Sequence, residues 1–392
     1  MKFKRGLAFN QVDKLGLVAL ISSTGLAIIG TIWAIYLDSF FHNASYVGFL
    51  STFFAIVTFA SYIFTVPIIE KNSKSKIYSI AVFTYAIFYF VLAIVTNLYV
   101  VIIIGTIISI ISALKITSFG LILIDKSKNK DVSKNVGLVY TLFNFAWLLG
   151  PLIAGIIIKQ YTMNVIFYLA SGLIFISFLL FRTFEITDNK KSKIIDGNYK
   201  KILIDYFKNK DRRLSYIISG GMHIWLTLIY VYIPIYIVES GLNASVVGFF
   251  LFAHVTPLIL LEYYFGKLAG KIGFKKTFII GYSIIGTITI LCFFIPNIYM
   301  QLGLILIASI GLAMIEPTTE AYFFDLVGKQ KEKFYGPYNT TIDVNSIVAL
   351  FLSAIILLFL PYKFLFLFIG IIMLIFAGIS LKTKNIVEGK RG

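Results

Sequence analysis

Charge is scarce in this chain. Only 14% of its 392 residues are Asp, Glu, Lys or Arg, against about 25% in an ordinary soluble domain. A soluble chain of this length divides into domains with polar surfaces, and too few polar groups are present to cover them. A soluble enzyme is therefore excluded. Cysteine is reduced to Cys292, so neither an intrachain disulfide nor a thiolate zinc site can form. With three histidines, no metal-spaced cluster is visible. Phosphate-binding glycine loops and Ser–His–Asp arrangements are missing too, so neither a cofactor nor an ATP-driven pump is expected on this chain.

What is present is apolar. Residues of hydrophobic type make up 59% of the chain, and the mean hydropathy is +0.90. They fall in long runs with short polar breaks, the pattern of an all-α polytopic membrane protein, since a membrane helix needs about 20 apolar residues. Twelve spans are expected near 14–38, 45–69, 77–97, 99–124, 135–158, 164–181, 214–238, 245–266, 277–296, 299–325, 334–360 and 364–381. The first run lacks a small-residue cleavage site and reads as a retained helix.

The net charge of +17 reports orientation. With the N-terminus inside, 32 of the 35 Lys and Arg fall on the inner side, Lys159 and Lys363 fall outside, and Lys115 lies within a span. This is the positive-inside pattern. It places both termini in the cytoplasm, most simply at the plasma membrane, and the basic face against anionic lipid. Nucleic acid is not an expected partner.

The chain also repeats itself at an offset of 200 residues. Asn43-Ala44-Ser45 recurs as Asn243-Ala244-Ser245, Val47-Gly48-Phe49 as Val247-Gly248-Phe249, Asn97 as Asn297 and Asp125 as Asp325. The two sequons sit where helices begin, so helix capping is the expected role of their Asn and Ser. Two six-helix bundles of one orientation follow, at 1–181 and 214–392, joined by a basic cytoplasmic linker at 182–213. Its apolar patch, Ile202-Leu203-Ile204 with Tyr206-Phe207, is expected on the inner leaflet.

Two parallel six-helix repeats with a long inner linker resemble the major facilitator superfamily, and the resemblance covers nearly the whole chain. Its sharpest motif is Gly266-Lys267-Leu268-Ala269-Gly270-Lys271-Ile272-Gly273-Phe274-Lys275-Lys276, which looks like the superfamily's loop signature. Gly266 is expected to permit close helix approach, Gly273 to make a tight turn, and Lys271 and Lys275 to form a basic edge. The family's acid is replaced here by Gly270. In the first half Glu70 stands at that acid's position, either as a gate latch, which the resemblance implies, or as a solvated loop acid. Span five carries Gly137, Ala146, Gly150-Pro151 and Ala154-Gly155, which resembles the antiporter signature of drug exporters. Close packing of small residues is the other reading. The family's fourth-span Arg, due near Thr106, is absent.

Ionisable groups inside spans carry the functional reading, because each costs about 2.5–3.5 kcal/mol to insert. Lys115, His223, Glu316 and Asp343 all fall near the midplane by helix rise. The resemblance implies that spans one, four, seven and ten line a central cavity, which would bring Lys115, His223 and Glu316 there, with Trp33 and Trp225 on its wall. Glu316 and Asp343 would bind and release protons, because burial favours the neutral form of an acid. His223 would relay them, and Lys115 would pair with Glu316 or hold an anionic group. The expected function is secondary transport by a monomer, with a small organic solute exported in exchange for protons. The alternatives are uptake of a metabolite such as a sugar or organic acid, and a non-transporting receptor or lipid-handling protein on the same fold.

Overall fold

The structure, a computed structural model, describes residues 10–127, 132–187 and 199–387. The described residues are helical with short connections. In chain order the helices are α1 (Gln11–Phe41), α2 (Ala44–Lys71), α3 (Lys74–Leu92), α4 (Leu98–Lys126), α5 (Val132–Ile158), α6 (Met163–Thr183), α7 (Tyr199–Lys208), α8 (Lys210–Thr227), α9 (Ile233–Glu239), α10 (Ser245–Ile272), α11 (Phe274–Phe294), α12 (Ile298–Val327), α13 (Lys331–Phe359) and α14 (Tyr362–Ser380). A π-helical segment, Leu228–Tyr232, joins α8 to α9, so the three together form one span. Twelve helices are long and apolar enough to cross a membrane. Their outer faces carry apolar side chains that water would not tolerate, such as Leu260 at 71% exposure and Tyr263 at 83%. The expected spans match to within a few residues. One difference matters: α10 continues to Ile272, so Gly266–Lys271 are helical and the turn falls on Gly273 alone.

The repeat is built with matching caps. The Asn43 side chain accepts from Ser45 N–H at 2.9 Å, and the Asn243 side chain accepts from Ser245 N–H at 2.8 Å. Asn97 and Asn297 likewise cap α4 and α12. Each side chain satisfies amide groups that the first helical turn leaves without partners.

The chain forms two compact units. One comprises Met1–Trp33 and Ile56–Ile195, the other Ala34–Ala55 and Asp196–Gly392. In the first, α3 packs on α4 and α6. Helix α5 meets α1 closely at Gly150, where a Cβ would lie 2.4 Å from the Ala27 Cβ. At the polar end Lys74, 3% exposed, pairs with Asp125 at 2.5 Å. In the second unit α11 lies between α12 and α14, α10 packs on α12, and α8 on α13. The connected ends of the first two spans belong to this second unit: Ser45 Oγ donates to the Ala354 carbonyl at 2.7 Å, and Gly48 lies against the Tyr232 hydroxyl.

The linker patch divides in two. Tyr206 of α7 is fully buried in a cluster with Phe323, Val327, Phe334 and Tyr338, while Ile204 and Phe207 stay exposed. Asp205 is bonded by Lys333 and reached by Arg212 at 3.5 Å. The Arg212 guanidinium stacks on Phe334 at 4.1 Å. The lysine and arginine cations hold the Asp205 carboxyl below its ordinary range, and burial pushes the Tyr206 phenol up. Half of the patch expected on the inner leaflet therefore docks on protein.

Candidate functional site

Span seven positions the site, and Pro234 explains how. Proline has no N–H, so the helical bond to the Tyr230 carbonyl cannot form. The backbone responds with a wider turn in which Ile233 N–H bonds to the Leu228 carbonyl. Such single π turns cluster at functional positions. Here the turn presents Tyr230, whose ring lies edge-on to His254 at 6.4 Å and near enough to Glu316 to feel its charge. Trp225, one turn earlier, is fully buried, and its Nε1 meets no hydrogen-bond partner in the protein.

Facing it, α10 and α12 form a polar seam. His254 is fully buried, with Nδ1 at 2.5 Å from Ser309 Oγ and Nε2 without a protein partner. Two turns along both helices come Glu262 and Glu316, which share one electrostatic neighbourhood. Residues seven or eight apart lie on one helix face, so the seam is two rungs: histidine with serine, then carboxylate with carboxylate. Glu316 Oε2 is buried and unpartnered. Pro317 follows it and loosens the helix at that point. A buried polar atom left alone costs about 1–3 kcal/mol, more when charged. A proton on Glu316, or a polar group brought by a solute, removes that penalty. His254 is thus more than a satisfied core histidine, since half of its ring chemistry is unused.

The other expected residues fall as follows. His223 is half-buried on α8, its carbonyl accepting from Thr227 at 2.9 Å. Asp343 is half-buried on α13 and electrostatically close to Tyr216. It stands on the helix whose Thr341 donates to the Tyr216 carbonyl at 2.9 Å and whose Asn345 fills the space above Gly220. Lys115 belongs to the first unit. It is half-buried on α4, its ammonium 5.9 Å from the Tyr85 ring centre. Trp33 is half-buried on α1. The Glu70 side chain lies outside the described residues.

The glycines separate. Gly150 makes the close helix contact that its motif suggests, whereas a Cβ at Gly137 would meet nothing within 4 Å. Pro151 and Gly155 are buried in α5. Gly273 has φ of 92°, a conformation that favours glycine. Within its own unit a Cβ at Gly266 would meet nothing within 4 Å. Lys271 is exposed and Lys275 half-buried beside the Gly273 turn. Among the described residues no group of three or more His, Cys, Asp or Glu could hold a metal ion.

Sequence reading missed Tyr230 and Ser309, which carry no charge.

Comparison with known proteins places this geometry. The chain is 25% identical over 238 residues to an uncharacterised MFS-type transporter of Methanocaldococcus jannaschii, a match covering 58% of this chain and 61% of that protein. Its fold resembles a solved POT family transporter in complex with a thioalcohol-conjugated peptide, with TM-score 0.76, 13% identity, and coverage of 94% of this chain and 95% of that one. It also resembles the nucleoside transporter NupG (0.76, 12%, 96% and 100%) and a bacterial homologue of the iron transporter ferroportin in an inward-facing state (0.72, 14%, 95% and 98%). These identities speak for the fold alone. The family model of the Major Facilitator Superfamily matches residues 15–256 and again 226–386; the chain is an integral membrane protein belonging to that superfamily.

Proposed function

We propose that the protein is a secondary transporter that exports a small organic solute in exchange for protons by alternating access. One observation carries the reading: Glu316 Oε2, enclosed and unpartnered in α12, shares one electrostatic neighbourhood with Glu262, two helical turns from a buried histidine with a free ring nitrogen. Like-charged acids in one low-dielectric place cannot both ionise cheaply, so one proton there is held or exchanged. Asp343 and His223 are further proton-path residues. The basic segments support a reading in which both termini lie in the cytoplasm of a plasma-membrane protein that acts as a monomer. The half-buried ammonium of Lys115 favours a second reading, uptake of an anionic metabolite.

The test begins with a thermal-shift screen of the purified protein at two pH values to find one stabilising compound. Transport of that compound is then measured in proteoliposomes with an imposed pH gradient. Glu316→Gln mimics the permanently protonated acid. Proton-driven net transport should fall at least about tenfold, while counterflow exchange persists without pH dependence. Gradient-driven transport at the wild-type rate in that variant would overturn the proton role. Transport driven only by the solute's own gradient would favour the metabolite reading.

A further inference from the structure

A cavity of about 620 Å³ lies in the second unit, where α9 ends, α11 turns into α12 and α14 begins. Its volume is in the range that holds small organic ligands. Glu239 of α9 and Lys363 of α14 both border it, and both are exposed. The ion pairs among the described residues, at Lys74, Arg212, Lys333 and Lys384, engage neither of them. The wall is aromatic. Tyr236 and Tyr362 lie with ring centres 4.7 Å apart, and the Lys363 ammonium is 5.7 Å from the centre of the Phe293 ring. Gln301 fixes this wall. Its side-chain oxygen accepts from the Tyr236 hydroxyl at 2.6 Å, and its nitrogen donates to the Ile295 and Cys292 carbonyls at 2.7 and 3.0 Å. The Tyr362 hydroxyl is enclosed and has no hydrogen-bond partner in the protein, so the wall keeps a polar group that the fold does not use.

These features select a ligand. One acid and one ammonium leave the cavity with no net charge. A simple cation is drawn to Glu239 and repelled by Lys363, and a simple anion meets the reverse. A molecule carrying both charges satisfies both, and its apolar body covers the aromatic faces. We propose that this cavity binds a small zwitterion with an apolar body. Its ammonium sits at Glu239, its anionic group at Lys363, and its apolar part on Tyr236, Phe293 and Tyr362. A ring shift that brings the Tyr362 hydroxyl to the ligand relieves that enclosed atom as well. Every residue lining the cavity belongs to the second unit, and none is shared with the seam of His254, Ser309, Glu262 and Glu316. The site therefore stands apart from the proton reading. A bound ligand joins α9, the part of span seven beyond the π turn, to α14.

The test uses full-length protein in uncharged maltoside micelles, with para-fluorophenylalanine as the probe and fluorine line broadening as the readout. Two analogues each lack one charge: para-fluorophenethylamine and para-fluorophenylpropionate. The zwitterion should bind saturably. Each analogue should bind about three- to tenfold more weakly, the loss of one partly exposed ion contact. Glu239→Gln should weaken the zwitterion and leave the propionate at least as tight as in the wild type. Lys363→Met should weaken the zwitterion and leave the amine at least as tight. Both side chains are exposed, so both variants should melt as the wild type does. Glu316→Gln should leave binding unchanged. Short-chain phosphatidylethanolamine carries the same pair of charges. If it displaces the probe, the occupant is a lipid headgroup of this chemistry; if it does not, the occupant is a soluble solute. No saturable binding, an amine that binds as tightly as the zwitterion, full binding in both single variants, displacement by anionic phosphatidylglycerol, or loss of binding in Glu316→Gln would each overturn the proposal.

Discussion

The first and seventh spans occupy the same place in the repeat and are built differently. Span one is a single unbroken helix, Gln11–Phe41. Span seven carries Pro234 where span one has Ala34, and it answers with the π segment Leu228–Tyr232. The polar ends differ as well. Lys74 pairs with Asp125 in the first half, whereas its counterpart Phe274 packs on Phe278 and Tyr322 in the second. The shared caps at Asn43, Asn243, Asn97 and Asn297 hold the scaffold constant. The chemistry diverged on top of it, and the second half gathered Glu262, Glu316 and His254 on facing helices. The first half thus keeps charge in the Lys74–Asp125 pair, whereas the second carries ionisable groups on facing helices.

Five changes would break or sharpen that contrast. The largest effect is expected from Lys74→Met, which leaves Asp125 without its ammonium. Stability should fall by about 3 kcal/mol, the lower end of the range for a broken buried pair because Asp125 is a quarter exposed. Lys74→Met with Asp125→Asn should recover most of it in detergent melts. Next comes Gly150→Ala, whose new methyl would strike both the Ala27 methyl and its backbone. It should cost about 1–3 kcal/mol. The same change at Gly137, which faces open space, should stabilise by about 0.5–1 kcal/mol.

Pro234→Ala gives span seven the residue of span one. The π turn should relax to α-helix and rotate Tyr230 by about 100° away from His254. Transport should drop about tenfold with the melting temperature held, and an unchanged rate would make the bulge a packing detail. The smallest effect is expected at Asp205. Its carboxyl is held below the ordinary range by Lys333 and Arg212, so its contribution is present above that range and lost as pH falls through the lowered value. Amide protection in Tyr199–Lys208, taken relative to the intrinsic exchange rate at each pH, should therefore fall at acid pH in the wild type, and Asp205→Asn should show that lower protection at every pH.

Much of the fold was legible in the sequence. Span lengths follow from bilayer thickness, caps from Asn and Ser at helix starts, and the repeat from residue identity at a fixed offset. Glu316 was legible because a charge in an apolar run is costly and therefore informative. Its surroundings were not. Ser309 and Tyr230 are common residues, and nothing local says that they face His254 and Glu316. The linker patch shows the same limit: the pattern of Ile202–Phe207 specifies an amphipathic helix, but the burial of Tyr206 among Phe323, Phe334 and Tyr338 depends on residues more than a hundred positions away.

The sequence by itself determined the membrane class, the twelve spans, the twofold repeat and the few charged residues inside it. Those properties are set by transfer free energy and by interactions within a few residues. Tertiary structure decided that Gly150 packs closely within its unit and that Gly137 does not. Pairing across helices depends on rotation and depth of each span to within a few ångströms, and apolar periodicity leaves both undetermined in helices that are hydrophobic all round.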